Sequence, residues 1–341
     1  MRFVSVRNMA RWIGEQGPER IIAALVDDLE DDFLRWPEFA KSPRLAAHSP
    51  LGVIELMPVH DPEHYAFKYV NGHPGNPTRG LQTVTAFGVL ADVASGYPVF
   101  VSEMTLLTAL RTAAVSGLAA RHLAPPGASR AAFIGAGSQS EFQALALRSV
   151  TGIDVVRVFD VDRLASEKFA RNLAPLGFQV NVCSSAAEAV CDADIITTCT
   201  ADKANAVVLD DAAVGPGVLI NAIGGDCPGK TELDPRTVQR ARVVVEFEPQ
   251  TRIEGEIQNL ASDFPVTELW TLLDRRGVAR ARPHEVVVFD SVGFAVEDFT
   301  ALRYVSRAVW GTPFEEDIDL VAEPDDPRDL FGMVPAPVPA R

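Results

Sequence analysis

Cysteine is scarce in this chain of 341 residues, with four in all. Cys183, Cys191, Cys199 and Cys227 form no CxxC pair and sit at no spacing that suits paired histidine ligands, which excludes a zinc ribbon and a disulfide framework. His60 and His64 are the nearest approach to a metal pair, but Asp61-Pro62 between them makes a turn and not one helical face, so no metal site is expected. Basic residues are outnumbered, 31 against 46 acidic, giving a formal net charge of −15. That balance excludes a nucleic-acid surface, which needs Lys and Arg in excess. Long apolar runs are missing as well. No stretch reaches the roughly 18 residues of a membrane helix, because Asp92 and Glu103 interrupt the most apolar region. The start, MRFVSVRNMARWIG, has no apolar h-region of a secretory signal. Together these absences predict a cytoplasmic protein with reduced thiols, no membrane contact and no nucleic-acid partner.

What is present suits an ordinary globular protein: 47% hydrophobic and 23% charged residues, in a chain long enough for two domains. Residues 18–36 place Ile21, Ile22, Leu25, Leu29, Phe33 and Leu34 at helical spacing behind a proline, which predicts an amphipathic helix. Short β-branched and aromatic runs follow (RLAAHS, GVIELMPV, YAFKYVNG, TVTAFGVLAD, YPVFVSEM), punctuated by Gly, Pro, Asn and Asp. They predict antiparallel strands, with ASGYP closing one hairpin. A helix over 104–123 then runs into APPGASR, whose prolines and glycine mark a boundary. Beyond Ser129 the pattern changes to nearly continuous apolar strands alternating with helices, the signature of a parallel sheet covered on both faces. We therefore expect one unit over 1–128, completed by a C-terminal helix at about 300–332, a second unit over 129–299, and a mobile tail at 333–341.

In AAFIGAGSQSEFQALAL, Gly135 and Gly137 fall at the turn from strand to helix. The first glycine permits the tight turn, the second lets backbone approach a pyrophosphate, and the helix start offers amide donors. Ser140 occupies the third glycine position, where a small residue still lets helix and strand approach. Asp160 ends the next strand about 20 residues further on, where a carboxylate binds the adenine ribose diol and repels a 2′-phosphate. The expectation is NAD rather than NADP, on a Rossmann-type doubly wound parallel sheet that follows an α+β unit of mainly antiparallel strands.

The apolar run VLINAIG empties into GDCPGK. In doubly wound sheets ligands sit outside the carboxyl ends of the strands, so Asp226 arrives at the same edge as the GAGSQS loop, placed for proton exchange beside a nicotinamide ring. Lys230 could approach the cofactor's phosphates or ribose. Gly225-Asp226-Cys227-Pro228-Gly229 also mimics a nucleophile elbow with cysteine as nucleophile. Pro228 defeats that reading, because it has no N–H to offer an oxyanion. Arg44, Glu55, Lys68 and Arg111 lie inside otherwise apolar stretches of the first unit. Charges there are costly unless paired or aimed at a ligand, and three cations with one carboxylate would suit a small zwitterion carrying an extra amine.

These segments, with EPQTRIEGEIQ and VFDSVGFAVEDFTALRYV, resemble the ornithine cyclodeaminase and mu-crystallin family across about residues 30–310, most closely its bacterial ornithine cyclodeaminases. The resemblance implies conversion of L-ornithine to L-proline and ammonia, with NAD regenerated in each turnover. It implies that Arg44, Lys68 and Arg111 bind the substrate carboxylate, that Glu55 and Val292 touch the substrate, and that Asp226 is the acid/base. Thr83, Gly135, Gly137, Ser138, Gln139, Asp160, Cys199, Asn221, Ala222, Lys230 and Ser291 would form the NAD site. Relatives often carry alanine at Ser138 and valine at Cys199, and neither change removes a needed group. A homodimer formed through the first unit's strands is also implied. Lysine cyclodeamination, amino-acid dehydrogenation and ketimine reduction remain open alternatives, as does a non-catalytic dinucleotide-binding protein.

Overall fold

The computed structural model describes residues 1–201, 205–274 and 282–335. The chain opens with β1 (Arg2–Val4), α1 (Val6–Gln16) and α2 (Pro18–Leu34). Next come β2 (Ala40–Lys41), β3 (Leu45–Ser49), β4 (Gly52–His60), β5 (His64–Gly72), β6 (Val84–Asp92), β7 (Pro98–Glu103) and α3 (Thr105–Leu123). Strands β2 to β7 pair antiparallel in the sheet order β18-β1-β7-β6-β5-β4-β2, where β18 is the late strand Glu316–Asp317, with β3 also on β4. The sequence pattern missed β1, which is too short to show a period; it adds to β7 in parallel. Along β4 the side chains alternate, Val53, Glu55, Met57 and Val59 inward and Ile54 and Leu56 outward, as the pleat requires.

The second half begins with β8 (Ala131–Ile134), α4 (Ser140–Thr151), β9 (Val155–Phe159), α5 (Arg163–Leu173), β10 (Gln179–Val182), α6 (Ala186–Val190) and β11 (Ile195–Thr198). It continues with β12 (Asn205–Leu209), β13 (Leu219–Ala222), β14 (Thr231–Leu233), α7 (Pro235–Arg240), β15 (Arg242–Val245) and α8 (Glu248–Glu254). β16 (Thr267–Glu268), α9 (Leu269–Asp274), β17 (Val287–Asp290), α10 (Ala295–Ala308) and β18 (Glu316–Asp317) complete it. Eight strands form one sheet in the order β10-β9-β8-β11-β13-β17-β15-β16, every pair parallel. The chain leaves β8 toward β9 and then returns to β11 on its other side, so the strand order reverses at β8 and β11. That reversal opens a crevice at the carboxyl ends of the strands.

The C-terminal helix corrects the expectation of 300–332. It starts earlier, at Ala295, and stops at Ala308; Gly311, at φ 66°, and Pro313 prevent its continuation. Most of the tail expected to be mobile lies outside the described residues. α10 packs back on α2, α3 and the inner faces of β4, β5 and β6, burying Val296, Phe299, Leu302 and Val305 completely. One apolar cluster, with Phe33, Phe100, Phe133 and Phe294 among its members, runs without a break from the antiparallel sheet to the parallel one. The edge where the two sheets meet is thus held rigidly.

Candidate active site

The crevice is built first by glycine. Gly135 has φ 98°, and a Cβ there would lie 2.8 Å from the carbonyl carbon and oxygen of Cys199, backbone atoms at the end of β11 that cannot move aside. A side chain at Gly137 would meet nothing within 4 Å, so this stretch of loop faces open space where a phosphate could approach the backbone. Ser140 is fully buried and donates its hydroxyl to the Gly137 carbonyl at 2.9 Å, which explains how serine serves at the third glycine position. Asp160 accepts the Ala136 amide at 2.7 Å and the Asp162 amide at 2.8 Å. It therefore ties the glycine loop to the end of β9. At the carboxyl end of β13, both polar atoms of the fully buried Asn221 amide have no hydrogen-bond partner among the described residues, and neither has Oε1 of Gln139. Buried polar groups left open beside a glycine loop fit a polar ligand such as NAD.

Between the loop and the antiparallel sheet lies a cavity of about 690 Å³. Arg44, Glu55, Lys68, Thr83, Arg111, Gly137, Ser138, Gln139, Cys199, Asp226, Lys230, Ser291 and Val292 all line it. Gly135, Asp160, Asn221 and Ala222 are not among the lining residues; they form the strand ends and the loop next to it. Residues far apart in sequence thus share one chamber.

The three first-unit cations are buried and already partnered. Arg44 meets Glu55 at 3.0 Å and Glu254 at 3.1 Å, and donates to the carbonyls of Val292 at 2.6 Å and Gly293 at 2.7 Å. Arg111 meets Glu297 at 2.5 Å and Asp298 at 2.9 Å, while Lys68 meets the same Asp298 oxygen at 2.8 Å. Burial, with Arg111 close by, pulls the Lys68 ammonium down to about 8. Burial lifts the Glu254 carboxyl to about 7 against the pull of Arg44. Sequence reasoning missed Glu254, Glu297 and Asp298. For Glu297 and Asp298 the signal was the one used for Arg111, acidic residues inside an apolar helical stretch, here AVEDFTALRYV; Glu254, in the polar EPQTRIEGEIQ, had none.

Asp226 is more open, its side chain 55% exposed, with Lys230 Nζ at 3.3 Å from Oδ1. The lysine also donates to the Thr200 carbonyl at 2.9 Å. Burial works against the Lys230 charge, but Asp226 and Glu232 outweigh it and hold its pKa above the ordinary lysine value. Beneath this loop, buried carboxylates staple backbone amides. Glu232 receives the Thr200 amide at 2.8 Å, Glu256 receives the amides of Glu232 at 2.8 Å and Leu233 at 3.0 Å, and Asp290 receives those of Glu256 at 2.9 Å and Ile257 at 3.1 Å. Burial raises Glu256 to about 7 and Asp290 well above the usual carboxylate range. The floor of the site is consequently a chain of acids that ties the segments at Thr200, Glu232 and Glu256 to the end of β17.

A family model for the ornithine cyclodeaminase/mu-crystallin family matches residues 7–312. The chain belongs to that family. It is 55% identical over 332 residues to the ornithine cyclodeaminase of Agrobacterium fabrum, covering 97% of this chain and 94% of that one. A solved lysine cyclodeaminase, described for its recognition of L-lysine, L-ornithine and L-2,4-diaminobutyric acid, superimposes with a TM-score of 0.84 at 33% identity, over 90% of this chain and 92% of the other. An archaeal alanine dehydrogenase, solved as a dimer with bound NAD, gives a TM-score of 0.82 at 30% identity over 91% and 96% of the two chains. Family membership accounts for the two-sheet fold.

Proposed function

We propose that this chain converts L-ornithine to L-proline and ammonia with NAD recycled in each turnover. The observation that carries the reading is the chamber itself, where a triad of buried cations and a half-exposed carboxylate face one space beside a dinucleotide loop. The extensive identity to an ornithine cyclodeaminase supports it.

NAD, when bound, supplies the hydride acceptor for the substrate's α-carbon and returns the hydride to the cyclic imine, so there is no net redox change. Arg44, Lys68 and Arg111 take the substrate carboxylate and so fix which end of the molecule lies toward the antiparallel sheet. The δ-amine must lose its proton before it can attack the oxidised α-carbon, and Oδ1 or Oδ2 of Asp226 accepts that proton. Glu55, held on Arg44, adds a second negative charge for the amine. Ring closure is fast because nucleophile and electrophile belong to one molecule held in place. Thr83, Gly135, Gly137, Ser138, Gln139, Asp160, Cys199, Asn221, Ala222, Lys230 and Ser291 hold the cofactor in this reading, and Val292 touches the substrate.

We further read the chain as a cytoplasmic homodimer. The outward face of the antiparallel sheet exposes Leu45, Ile54, Leu56, Tyr65 and Phe87, and Leu45 and Leu56 are register partners. An apolar face of that breadth is what a second copy covers. No disulfide joins any of the four cysteines, which suits a reducing compartment. The catalytic reading is tested with L-ornithine and limiting NAD: many equivalents of proline per cofactor without accumulation of NADH support it, whereas stoichiometric NADH marks a dehydrogenase.

A further inference from the structure

One oxygen of Asp298 does two jobs. Its Oδ1 lies 2.8 Å from Lys68 Nζ and 2.9 Å from Arg111 Nε, with Asp298 1% exposed and Lys68 equally enclosed. Asp298 sits in the first turns of α10, where the helix dipole favours negative charge, and Glu297 beside it holds Arg111 Nη1 at 2.5 Å while accepting the Phe294 amide at 3.0 Å. Lys68 retains two donors and Arg111 four, its Nε among them, for other partners, and both side chains line the cavity. Without the shared carboxylate, Lys68 would face Arg111 from α3 and Arg44 from the segment before β3 with no negative charge in contact.

We propose that Asp298 is a positioning residue that keeps Lys68 charged and clamps it to Arg111, so that the two cations act as one receptor for the substrate carboxylate. The proposal rests on the ornithine reading and deepens it. It makes a specific statement about pH. Lys68 attracts a carboxylate by charge only as an ammonium, so binding is strongest below about pH 8 and weakens as pH rises through that value. Replacing Asp298 by a neutral isostere removes a charge that favours the ammonium, and the loss then begins at lower pH. At low pH, where Lys68 stays protonated, removing a negative charge does not weaken the attraction for an anion. A purely structural role would weaken binding by the same factor at every pH.

The experiment is the inhibition constant of L-proline against L-ornithine turnover by the NAD-loaded enzyme, followed from pH 6 to pH 9.5 in wild type, Asp298→Asn and Asp298→Glu. L-Proline carries the same carboxylate, and its secondary amine titrates well above Lys68. The wild-type constant is expected to rise with a midpoint near pH 8, and that of Asp298→Asn to be unchanged or smaller at pH 6 with its midpoint about one unit lower, roughly a fivefold difference near pH 8. Asp298→Glu is expected to restore the wild-type midpoint. Equal midpoints in wild type and the Asn variant, or a uniform loss across pH, would overturn the proposal. If Asp298→Asn does not fold, a wild-type inhibition constant that stays flat from pH 6.5 to 9.5 does so instead. A wild type that fails to turn over L-ornithine at all refutes the function and not the clamp, which L-proline calorimetry over the same pH range still reads.

Discussion

Gly224 lies between the end of β13 and Asp226, and a Cβ there would fall deep inside contact distance of the Glu232 carboxylate. Its φ is not in the left-handed region, so Gly224→Ala carries no backbone strain and the whole cost is the overlap. Glu232 cannot swing away freely, because it is 1% exposed and receives both the amide and the hydroxyl of Thr200. Displacing it leaves two donors unsatisfied at about 1–3 kcal/mol each, or roughly 2–6 kcal/mol in total. At about 2–4 °C per kcal/mol for a domain of ~200 residues, the apparent melting temperature should fall by on the order of 5 to 20 °C. Because the Thr200 carbonyl holds Lys230, proline formation should fall as well. Scanning fluorimetry on Gly224→Ala, Glu232→Ala and the double variant reads the first effect. Glu232→Ala removes the obstacle along with its hydrogen bonds, so the double variant should melt near Glu232→Ala alone. A double variant destabilised by the sum of the two single changes would refute the steric reasoning.

Asp226→Asn should lower turnover by roughly 10²–10⁴-fold while leaving NAD affinity unchanged by fluorescence titration; near-normal turnover contradicts the assigned role. Leu56→Glu with Phe87→Glu should convert the proposed homodimer to monomers in sedimentation velocity, and a dimer undisturbed by both changes would show that this sheet face is not the interface. Glu103, Glu254 and Glu256 have carboxyls lifted by burial to about 7, above the 4.5 of an unfolded glutamate. The stability they contribute is full below pH 4.5 and lost as pH rises through 7, so the melting temperature should be higher at pH 5.5 than at pH 8. A higher value at pH 8 would show that other groups govern acid stability.

The alternation of strands and helices after Ser129 was legible because each buried parallel strand needs an unbroken apolar run, and the glycine loop was legible because Gly135 has a backbone approach that no other residue permits. The Asp226 loop followed from strand polarity alone. Partners of the buried cations were not legible. Lys68 and Asp298 are separated by 230 residues, and periodicity reports which face a residue occupies without saying which distant charge it meets. The acid relay of Glu232, Glu256 and Asp290 escaped for the same reason, since each carboxylate binds backbone amides that leave no mark on composition. The length of the last helix was misjudged because Gly311 and Pro313 were not given their weight as terminators.

Central to the proposed reaction is that the α-hydrogen of the substrate is removed and given back inside one chamber. Turnover of L-ornithine deuterated at the α-carbon, followed by mass spectrometry and NMR of the product, tests it most directly. L-Proline should keep the deuterium at its α-carbon, with NADH never rising above the level of enzyme. Proline carrying solvent hydrogen at that carbon, or deuterium accumulating in free NADH, would contradict it.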